Sequence, residues 1–264
     1  MTNPAVAIQF ENVEKRFAAR GATAEVLAVR EVNFSIQTAE VVSIIGPSGC
    51  GKSTLLNMGS GLSKPTAGQV KVAGQVVTGP NRQVSFMLQK DLLMPWRTIA
   101  QNIEFGLELR GVPATQRSAV SAKLIGQCHL TGFGAHYPHQ LSGGMRQRAA
   151  LARTLAVDPL VLLMDEPFSA LDAQTKMILQ NDLARTVAEE GKTVLFITHD
   201  LVEAVALSDR ILVMSERPGT IVETITVDLP DRNNPMQRRK RPEVNHYVAQ
   251  LMDLLKLDAA TEIH

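Results

Sequence analysis

Short apolar runs alternate with stretches of helical spacing along most of the chain. The runs at residues 41–45, 160–164, 194–197, 211–214 and 221–227 are rich in leucine and β-branched residues, which predicts strands. Stretches of helical spacing separate the last four runs. Strands that alternate with helices favour a parallel sheet covered by helices, so we expect a protein of the α/β class.

The N-terminal third and the middle of the chain carry different patterns. Loose alternation of apolar and polar positions near the N-terminus predicts short strands. They cover residues 7–10, 26–29, 32–36, 70–72 and 76–77, the last two as a hairpin around Gly74. Over about residues 91–157 strand patterns are scarce and apolar residues recur at helical spacing. We expect a helical subdomain there.

The C-terminal tail is expected to be a connector followed by one helix. Residues 230–242 contain three prolines and a basic run at 238–241, so we expect an exposed segment. The alternative is that the basic run contacts anionic lipid. A closing amphipathic helix is predicted by Val244, Tyr247, Val248, Leu251 and Leu255. We therefore divide the chain into a main domain, residues 1–229, and a C-terminal extension, residues 230–264.

Composition limits the class of protein. The 264 residues can bury a substantial core, as one large domain or two small lobes. The longest apolar run has five residues, whereas a membrane-spanning helix needs about 20. The first residues lack a secretion pattern, and two cysteines are too few for a disulfide framework. The 27 basic and 26 acidic residues nearly cancel, so we do not expect nonspecific binding of nucleic acid. Together, these features predict a soluble, cytoplasmic protein.

The clearest chemical motif is a glycine-rich loop between the strand at 41–45 and a predicted helix. Residues 46–53 match G-x-x-x-x-G-K-[ST], in which backbone N–H groups converge on phosphate oxygens and the helix end adds positive charge. In this pattern Lys52 reaches the β- and γ-phosphates, Ser53 ligates Mg²⁺ and Thr54 serves the α-phosphate. The predicted nucleotide-binding residues are Gly46, Pro47, Ser48, Gly49, Cys50, Gly51, Lys52, Ser53 and Thr54.

Charged residues follow two other predicted strands. Asp165 and Glu166 come after the run at 160–164, and His199 follows the run at 194–197. The carboxyl ends of parallel strands meet at one edge, where such sheets place ligands. We expect Asp165 to hold Mg²⁺, Glu166 to polarise the attacking water, and His199 to sense or stabilise the γ-phosphate.

A second glycine turn begins another predicted helix, at residues 145–156. Ser142 can cap this helix, and Gly143 and Gly144 expose backbone N–H groups at its positive end. One nucleotide needs only one phosphate loop, so the second anion site requires a separate explanation.

In order and spacing, these motifs resemble those of the ATP-binding subunits of ABC transporters. The resemblance covers nearly the whole chain and rests on the phosphate loop, the LSGGM turn, the LVLLMDEP strand end, residues 169–172 and the Thr198-His199 pair. It implies a P-loop NTPase core with a mainly parallel sheet, an antiparallel β-subdomain and an inserted helical subdomain. It also implies that two subunits pair head to tail, which places the turn at Ser142 of one copy over the γ-phosphate held by Lys52 of the other.

The resemblance also implies roles for three residues outside the phosphate loop and the strand ends. Phe17 would stack on adenine, and Asp172 would lie at the dimer contact. Gln89 would contact Mg²⁺ or water and link the core to the helical subdomain. The chain departs from the family pattern at Phe17, where tyrosine is common, and at Met145, where glutamine is common.

Three patches, at residues 93–96, 145–148 and 216–221, resemble importers of the nitrate, sulfonate and taurine group. The implied protein is an ATPase that uses ATP and Mg²⁺ and lies peripherally on the cytoplasmic face of the inner membrane. Its partners would be a second copy, an integral membrane permease and an extracytoplasmic solute-binding protein.

Three alternatives differ from this importer. One is an ABC subunit for another class of solute. Another is a soluble ABC ATPase acting on ribosomes or DNA, which the single phosphate-loop motif and the absence of a long coiled-coil insertion disfavour. The third, a plain P-loop kinase, would not need the second glycine turn.

Overall fold

The computed structural model describes residues 5–18 and 25–256. Within these ranges the chain forms ten strands and eight α-helices. The strands are β1 (Val6–Ala18), β2 (Glu25–Gln37), β3 (Val41–Ile45), β4 (Ala67–Val72), β5 (Gln75–Val76), β6 (Val84–Met87), β7 (Val161–Asp165), β8 (Thr193–Ile197), β9 (Arg210–Met214) and β10 (Ile221–Thr226). The helices are α1 (Lys52–Gly59), α2 (Ile99–Leu109), α3 (Ala114–Gln127), α4 (Gly143–Ala156), α5 (Ala173–Glu190), α6 (Leu201–Leu207), α7 (Pro235–Arg238) and α8 (Glu243–Leu254).

The larger sheet has the order β10-β9-β3-β8-β7-β6. Its strands pair in parallel except for the edge strand β10, which is antiparallel to β9. Every residue of β3, β7 and β8 is buried, because one face packs on α1 and the smaller sheet and the other on α4 and α5 or, at β3, on α6. Burial on both faces explains why these strands appear in the sequence as uninterrupted apolar runs.

The smaller sheet is antiparallel and has the order β2-β1-β4-β5. The expectation of short strands is wrong for β1 and β2, which have 13 residues each. Register shifts interrupt their pairing, and Asn12 and Glu31 adopt positive φ of 46° and 47°. Such irregularities break the regular alternation from which strand length was predicted. The predicted hairpin around Gly74 is present as β4 and β5.

Helices α2, α3 and α4 lie between β6 and β7 in the chain and pack on one another. The strand β6 was missed because it lies at the sheet edge and three of its four residues are only partly buried. Helix α4 begins at Gly143 rather than Met145, so both glycines of the second turn belong to its first turn. The predicted fold class, a mainly parallel core sheet with an antiparallel subdomain and an inserted helical subdomain, is confirmed.

The basic run at 238–241 is not uniformly exposed, which corrects the expectation of a solvated connector. Arg238 is 1% exposed, and its guanidinium donates to the carbonyl oxygens of Ser208, Val227 and Leu229. Carbonyl groups from separate segments give this buried cation its acceptors. The predicted closing helix is present as α8, whose Val244 and Leu251 are buried.

Candidate functional site

The residues with predicted chemistry gather at one edge of the larger sheet. Strands β3, β8, β7 and β6 are adjacent and parallel, so their carboxyl ends lie side by side. The chain after β3 forms the glycine-rich loop, and Gln89, Glu166 and His199 follow the other three strands. The edge is therefore the place where a ligand of this sheet is expected.

The glycine-rich loop curls directly into α1. Gly51 precedes the helix with φ 111°, and a Cβ there would lie 2.4 Å from Val29 Cγ1. Only glycine fits this position without displacing its neighbour. Cys50 is buried, whereas Ser48 and Gly49 are exposed. The loop thus presents its backbone to solvent beside the N-terminal end of α1.

The Lys52 ammonium lies within the curl of the loop. Its Nζ donates to the carbonyl oxygens of Gly46 and Pro47 at 2.7 and 2.8 Å. Together with the positive end of α1, this cation makes the loop a suitable binding place for the phosphates of a nucleotide. Ser53 and Thr54 follow in the first turn of α1.

Asp165 is a buried carboxylate beside the loop. Burial raises the pKa of Asp165 above its ordinary value, although the nearby Ser53 hydroxyl and Lys52 oppose the shift. A desolvated carboxylate next to a hydroxyl gives two oxygen donors suited to Mg²⁺. Within residues 5–18 and 25–256, no group of three or more His, Cys, Asp or Glu side chains could hold a metal.

Three strand ends converge on the Glu166 carboxylate. Glu166 has a positive φ of 48°, and its backbone N–H donates to Ile197 O at 3.1 Å. Its Oε2 accepts from Gln89 Nε2 at 2.9 Å and lies 3.4 Å from His199 Nδ1. The structure thus brings together the three residues predicted to act in catalysis.

Gln147 on α4 ties the second glycine turn to this convergence, a contact that sequence reasoning missed. Its Nε2 donates to the carbonyl oxygens of Gln89 at 3.4 Å and Pro167 at 3.3 Å. The residue is 4% exposed. The sequence offered no signal for this contact, because Gln147 stands between Arg146 and Arg148 in a polar part of α4.

The second glycine turn is exposed and capped. Ser142 Oγ accepts from Met145 N at 3.3 Å, and both Ser142 and Gly143 are exposed. A Cβ at Gly144 would lie 3.2 Å from Leu171 Cδ2, so this glycine packs against the segment before α5. Asp172 caps α5 by accepting from Thr175 N. Among the described residues, no hydrogen bond joins Ser142 or Asp172 to the glycine-rich loop of the same chain.

Phe17 presents an exposed ring near the end of β1. The ring is 46% exposed, and Lys15 Nζ lies 5.2 Å from its centroid. An exposed aromatic face beside a cation suits stacking on a nucleotide base. Among the described residues, no hydrogen bond or ion pair joins Phe17 to the glycine-rich loop.

Comparisons with known proteins identify relatives over most of the chain. The family model described as ABC transporter matches residues 29–169. An uncharacterized ABC transporter ATP-binding protein of Methanocaldococcus jannaschii is 45% identical over 251 residues, 95% of this chain and 92% of that protein. A nitrate import ATP-binding protein of Synechocystis is 43% identical, covering 89% and 91%. A taurine import ATP-binding protein of Yersinia pestis is also 43% identical, covering 78% and 80%.

A solved structure matches the same fold. It is the dimeric, post-hydrolysis state of an ATP-binding cassette bound to ADP and Pi. The TM-score is 0.77 at 32% identity, and the match covers 83% of this chain and 98% of that one.

Proposed function

The chain belongs to the ATP-binding proteins of ABC transporters, and from that premise we propose that it powers uptake of a small anionic solute through a separate permease. The cassette is an ATPase. The observation that carries the proposed mechanism is the contact of Gln89 and His199 with Glu166 Oε2, beside the loop that suits phosphate.

The glycine-rich loop binds the ATP phosphates in this proposal. Backbone N–H groups of residues 46–51 surround the phosphates, while Lys52 neutralises the β- and γ-phosphates. Ser53 and Asp165 hold Mg²⁺, and Gln89 contributes to its hydration or to the attacking water. When bound, Mg²⁺ neutralises charge on the phosphate oxygens. Phe17 stacks on the adenine ring.

Glu166 accepts the proton of the attacking water. Its carboxylate is held by Gln89 from one side, and His199 reaches the same oxygen from the other. His199 is exposed, which leaves its imidazole free to contact the γ-phosphate. The three side chains thereby align water, carboxylate and phosphate for in-line attack.

Two copies sandwich two ATP molecules. Ser142, Gly143 and Gly144 of one copy bind the γ-phosphate held by the other, and Asp172 lies at the contact between copies. Support comes from the exposure of Ser142 and Gly143 and from their lack of hydrogen bonds to the loop of their own chain within the described residues. The matched solved structures are dimeric cassettes, which agrees with this arrangement.

The transported solute is proposed from the relatives. Nitrate and taurine import proteins are each 43% identical to this chain, so we propose nitrate, a sulfonate or a taurine-like compound. No helix within residues 5–18 and 25–256 is long and apolar enough to cross a bilayer. We place the subunit on the cytoplasmic face of the inner membrane, bound to an integral membrane permease. An extracytoplasmic solute-binding protein delivers the solute to this permease.

Reconstitution tests the proposal. The subunit is purified with its permease in lipid vesicles, and ATP hydrolysis is measured with the binding protein and nitrate, taurine or an alkyl sulfonate. We expect one of these solutes to stimulate hydrolysis, with Glu166→Gln as the inactive control. Stimulation by a solute of another class, or by none of the three, would contradict the proposed solute group. Hydrolysis that does not respond to the permease would contradict the importer.

A further inference from the structure

A partly buried ion-pair cluster underlies the segment that carries His199. The Glu203 side chain is 3% exposed, and its Oε2 lies 2.7 Å from Lys176 Nζ. The same ammonium lies 2.8 Å from Asp200 Oδ2. One cation on α5 therefore joins two carboxylates at the beginning of α6. A buried carboxylate needs such partners, because desolvation disfavours its charged form.

Both neighbours of His199 in the chain belong to this cluster. Thr198 is buried, and its hydroxyl opposes the rise that burial causes in the pKa of Glu203. Asp200 donates its backbone N–H to Thr198 Oγ1 at 3.0 Å and accepts from Glu203 N at 2.9 Å. His199 itself is exposed, with a 70% exposed side chain. Its imidazole is consequently aimed by a backbone that is fixed on both sides.

The cluster extends to the C-terminal segment. Gln180 on α5 is fully buried, and its Nε2 donates to Glu203 Oε2 at 2.8 Å. Its Oε1 accepts from the Arg239 guanidinium at 2.5 Å. Arg238 anchors the adjoining turn through carbonyl groups of two segments, after α6 and after β10. A continuous chain of contacts thus runs from Arg239 to the neighbours of His199.

Arg239 and Glu203 fix the orientation of the Gln180 amide from its two ends. A guanidinium has donors only, so it holds the amide oxygen and leaves the NH₂ group toward Glu203. Without Arg239, the buried amide oxygen of Gln180 loses its donor, which frees the amide to move away from the carboxylate. The carboxylate would then lose a donor that it needs in a buried site.

We propose that Arg239, acting through Gln180 and the Lys176–Glu203 pair, is a positioning residue that holds the His199 imidazole within reach of Glu166. The inference rests on the proposed part of His199 in hydrolysis. It assigns a function in the ATPase site to a basic segment far along the chain. Arg239 donates to Gln180 and to no residue of the proposed nucleotide site in the described part of the chain, so its effect travels through the backbone at Thr198 and Asp200.

Arg239→Ala tests the inference, with Arg239→Lys and Arg241→Ala as matched variants in the full chain. Arg241 lies in the same basic run but pairs with Asp231 instead. We measure kcat and KM for ATP, the melting temperature, and the histidine Cε1–Hε1 NMR signal of His199, assigned with His199→Ala. For Arg239→Ala we expect kcat to fall about fivefold, the factor of one net hydrogen bond.

KM should change little in Arg239→Ala and the His199 signal should shift, while the melting temperature should fall by several degrees because the buried Gln180 Oε1 loses its donor. Lysine at position 239 can still donate to Gln180 Oε1, so Arg239→Lys should recover much of the loss. Arg241→Ala should match the parent in all readouts.

Two results would overturn the inference. One is an unchanged kcat and an unshifted His199 signal in Arg239→Ala. The other is a lower kcat with the same unshifted signal, which would indicate a general structural effect. If His199→Ala hydrolyses ATP at the parent rate, the proposed role of His199 fails instead, and the NMR shift alone then decides whether Arg239 positions that side chain.

Discussion

Gln89 Nε2 donates to Glu166 Oε2 across 2.9 Å and so joins the chain after β6 to the end of β7. The same carboxylate oxygen lies 3.4 Å from His199 Nδ1, at the end of β8. Glu166 is therefore held by side chains from both neighbouring strand ends. Gln89 also lies between β6 and α2, at the entrance to the helical segment.

Glu166→Gln should retain ATP binding and lose hydrolysis. The amide has nearly the same shape and can still accept from Gln89, but it cannot take a proton from water. We expect kcat to fall about a hundredfold or more, the usual contribution of a general base. Size-exclusion chromatography with ATP should show a trapped closed dimer. Hydrolysis near the parent rate would remove Glu166 as the catalytic carboxylate.

Ser142→Arg should abolish hydrolysis and leave nucleotide affinity of the isolated subunit intact. The bulky cation would block the exposed turn, which in our proposal acts on the ATP of the partner copy. Ser142→Ala is the control, because both variants lose the helix cap at about 1 kcal/mol but only arginine adds bulk. Equilibrium binding at low protein concentration measures affinity. A collapse of affinity in the monomer would contradict action across the dimer.

Sequence patterns predicted the parts of the fold that are fixed by local burial. Strands β3, β7 and β8 are buried at every position, so their apolar runs are unambiguous. Strand β6 is half-buried at the sheet edge, and its pattern was too weak to recognise. Arg238 was misjudged because its burial depends on carbonyl groups of distant segments, which no local pattern records.

The candidate site shows the same limit. The glycine-rich loop, the carboxylates after β7 and the turn at Ser142 are local motifs, so their residue types alone indicate phosphate, metal and anion chemistry. The contacts of Gln147 and Arg239 join residues 58 and 59 positions apart. Such pairs depend on how α4, α5 and α7 pack, and only the folded structure brings them together.

Asp165→Asn should stabilise the nucleotide-free protein at neutral pH. Burial raises the pKa of Asp165 in the native state above 3.8, the value expected in the unfolded chain. At pH values between these two pKa values, the native state holds a proton that the unfolded chain has released. The contribution of Asp165 to the free energy of unfolding therefore falls as the pH rises through this window, and it stays reduced at higher pH. Asparagine has no proton to lose.

Melting temperatures across acid to neutral pH measure the effect. The advantage of Asp165→Asn should vanish on the acid side of the window and be largest above it. Exposed Asp253 on α8 supplies the control, and Asp253→Asn should follow the parent curve. Added ATP and Mg²⁺ should raise the melting temperature of the parent more than that of Asp165→Asn. A pH-independent difference would contradict the assignment to this carboxyl group.

Arg238→Ala should destabilise the fold by about 3 kcal/mol, because hydrogen bonds to a charged donor and buried packing are lost together. Its guanidinium donates to carbonyl groups after α6 and after β10. Arg241→Ala breaks a partly exposed pair with Asp231 and should change stability by less than about 1 kcal/mol. Denaturant titration compares the two variants. Equal losses would show that Arg238 does not anchor the C-terminal segment.

Gly219 supports the phosphate loop from outside the motif. Its N–H donates to Ala28 O at 2.9 Å, and its carbonyl accepts from Arg30 N at the same distance. A Cβ at this position would lie 2.0 Å from the carbonyl oxygen of Cys50. That oxygen belongs to the loop backbone, so it cannot move aside without changing the loop.

Gly219→Ala should therefore weaken ATP binding although position 219 carries no ligand-binding side chain. Overpacking costs about 1–3 kcal/mol, and each 1.4 kcal/mol is a factor of ten, so we expect Kd for ATP to rise about tenfold. Gly126→Ala in α3 is the matched control, because a Cβ there meets nothing within 4 Å and alanine favours a helix. Calorimetric titration measures Kd for ATP in both variants, and circular dichroism verifies that they fold. An unchanged Kd in folded Gly219→Ala would mean that the loop tolerates displacement at Cys50, and phosphate binding would then not depend on this backbone contact.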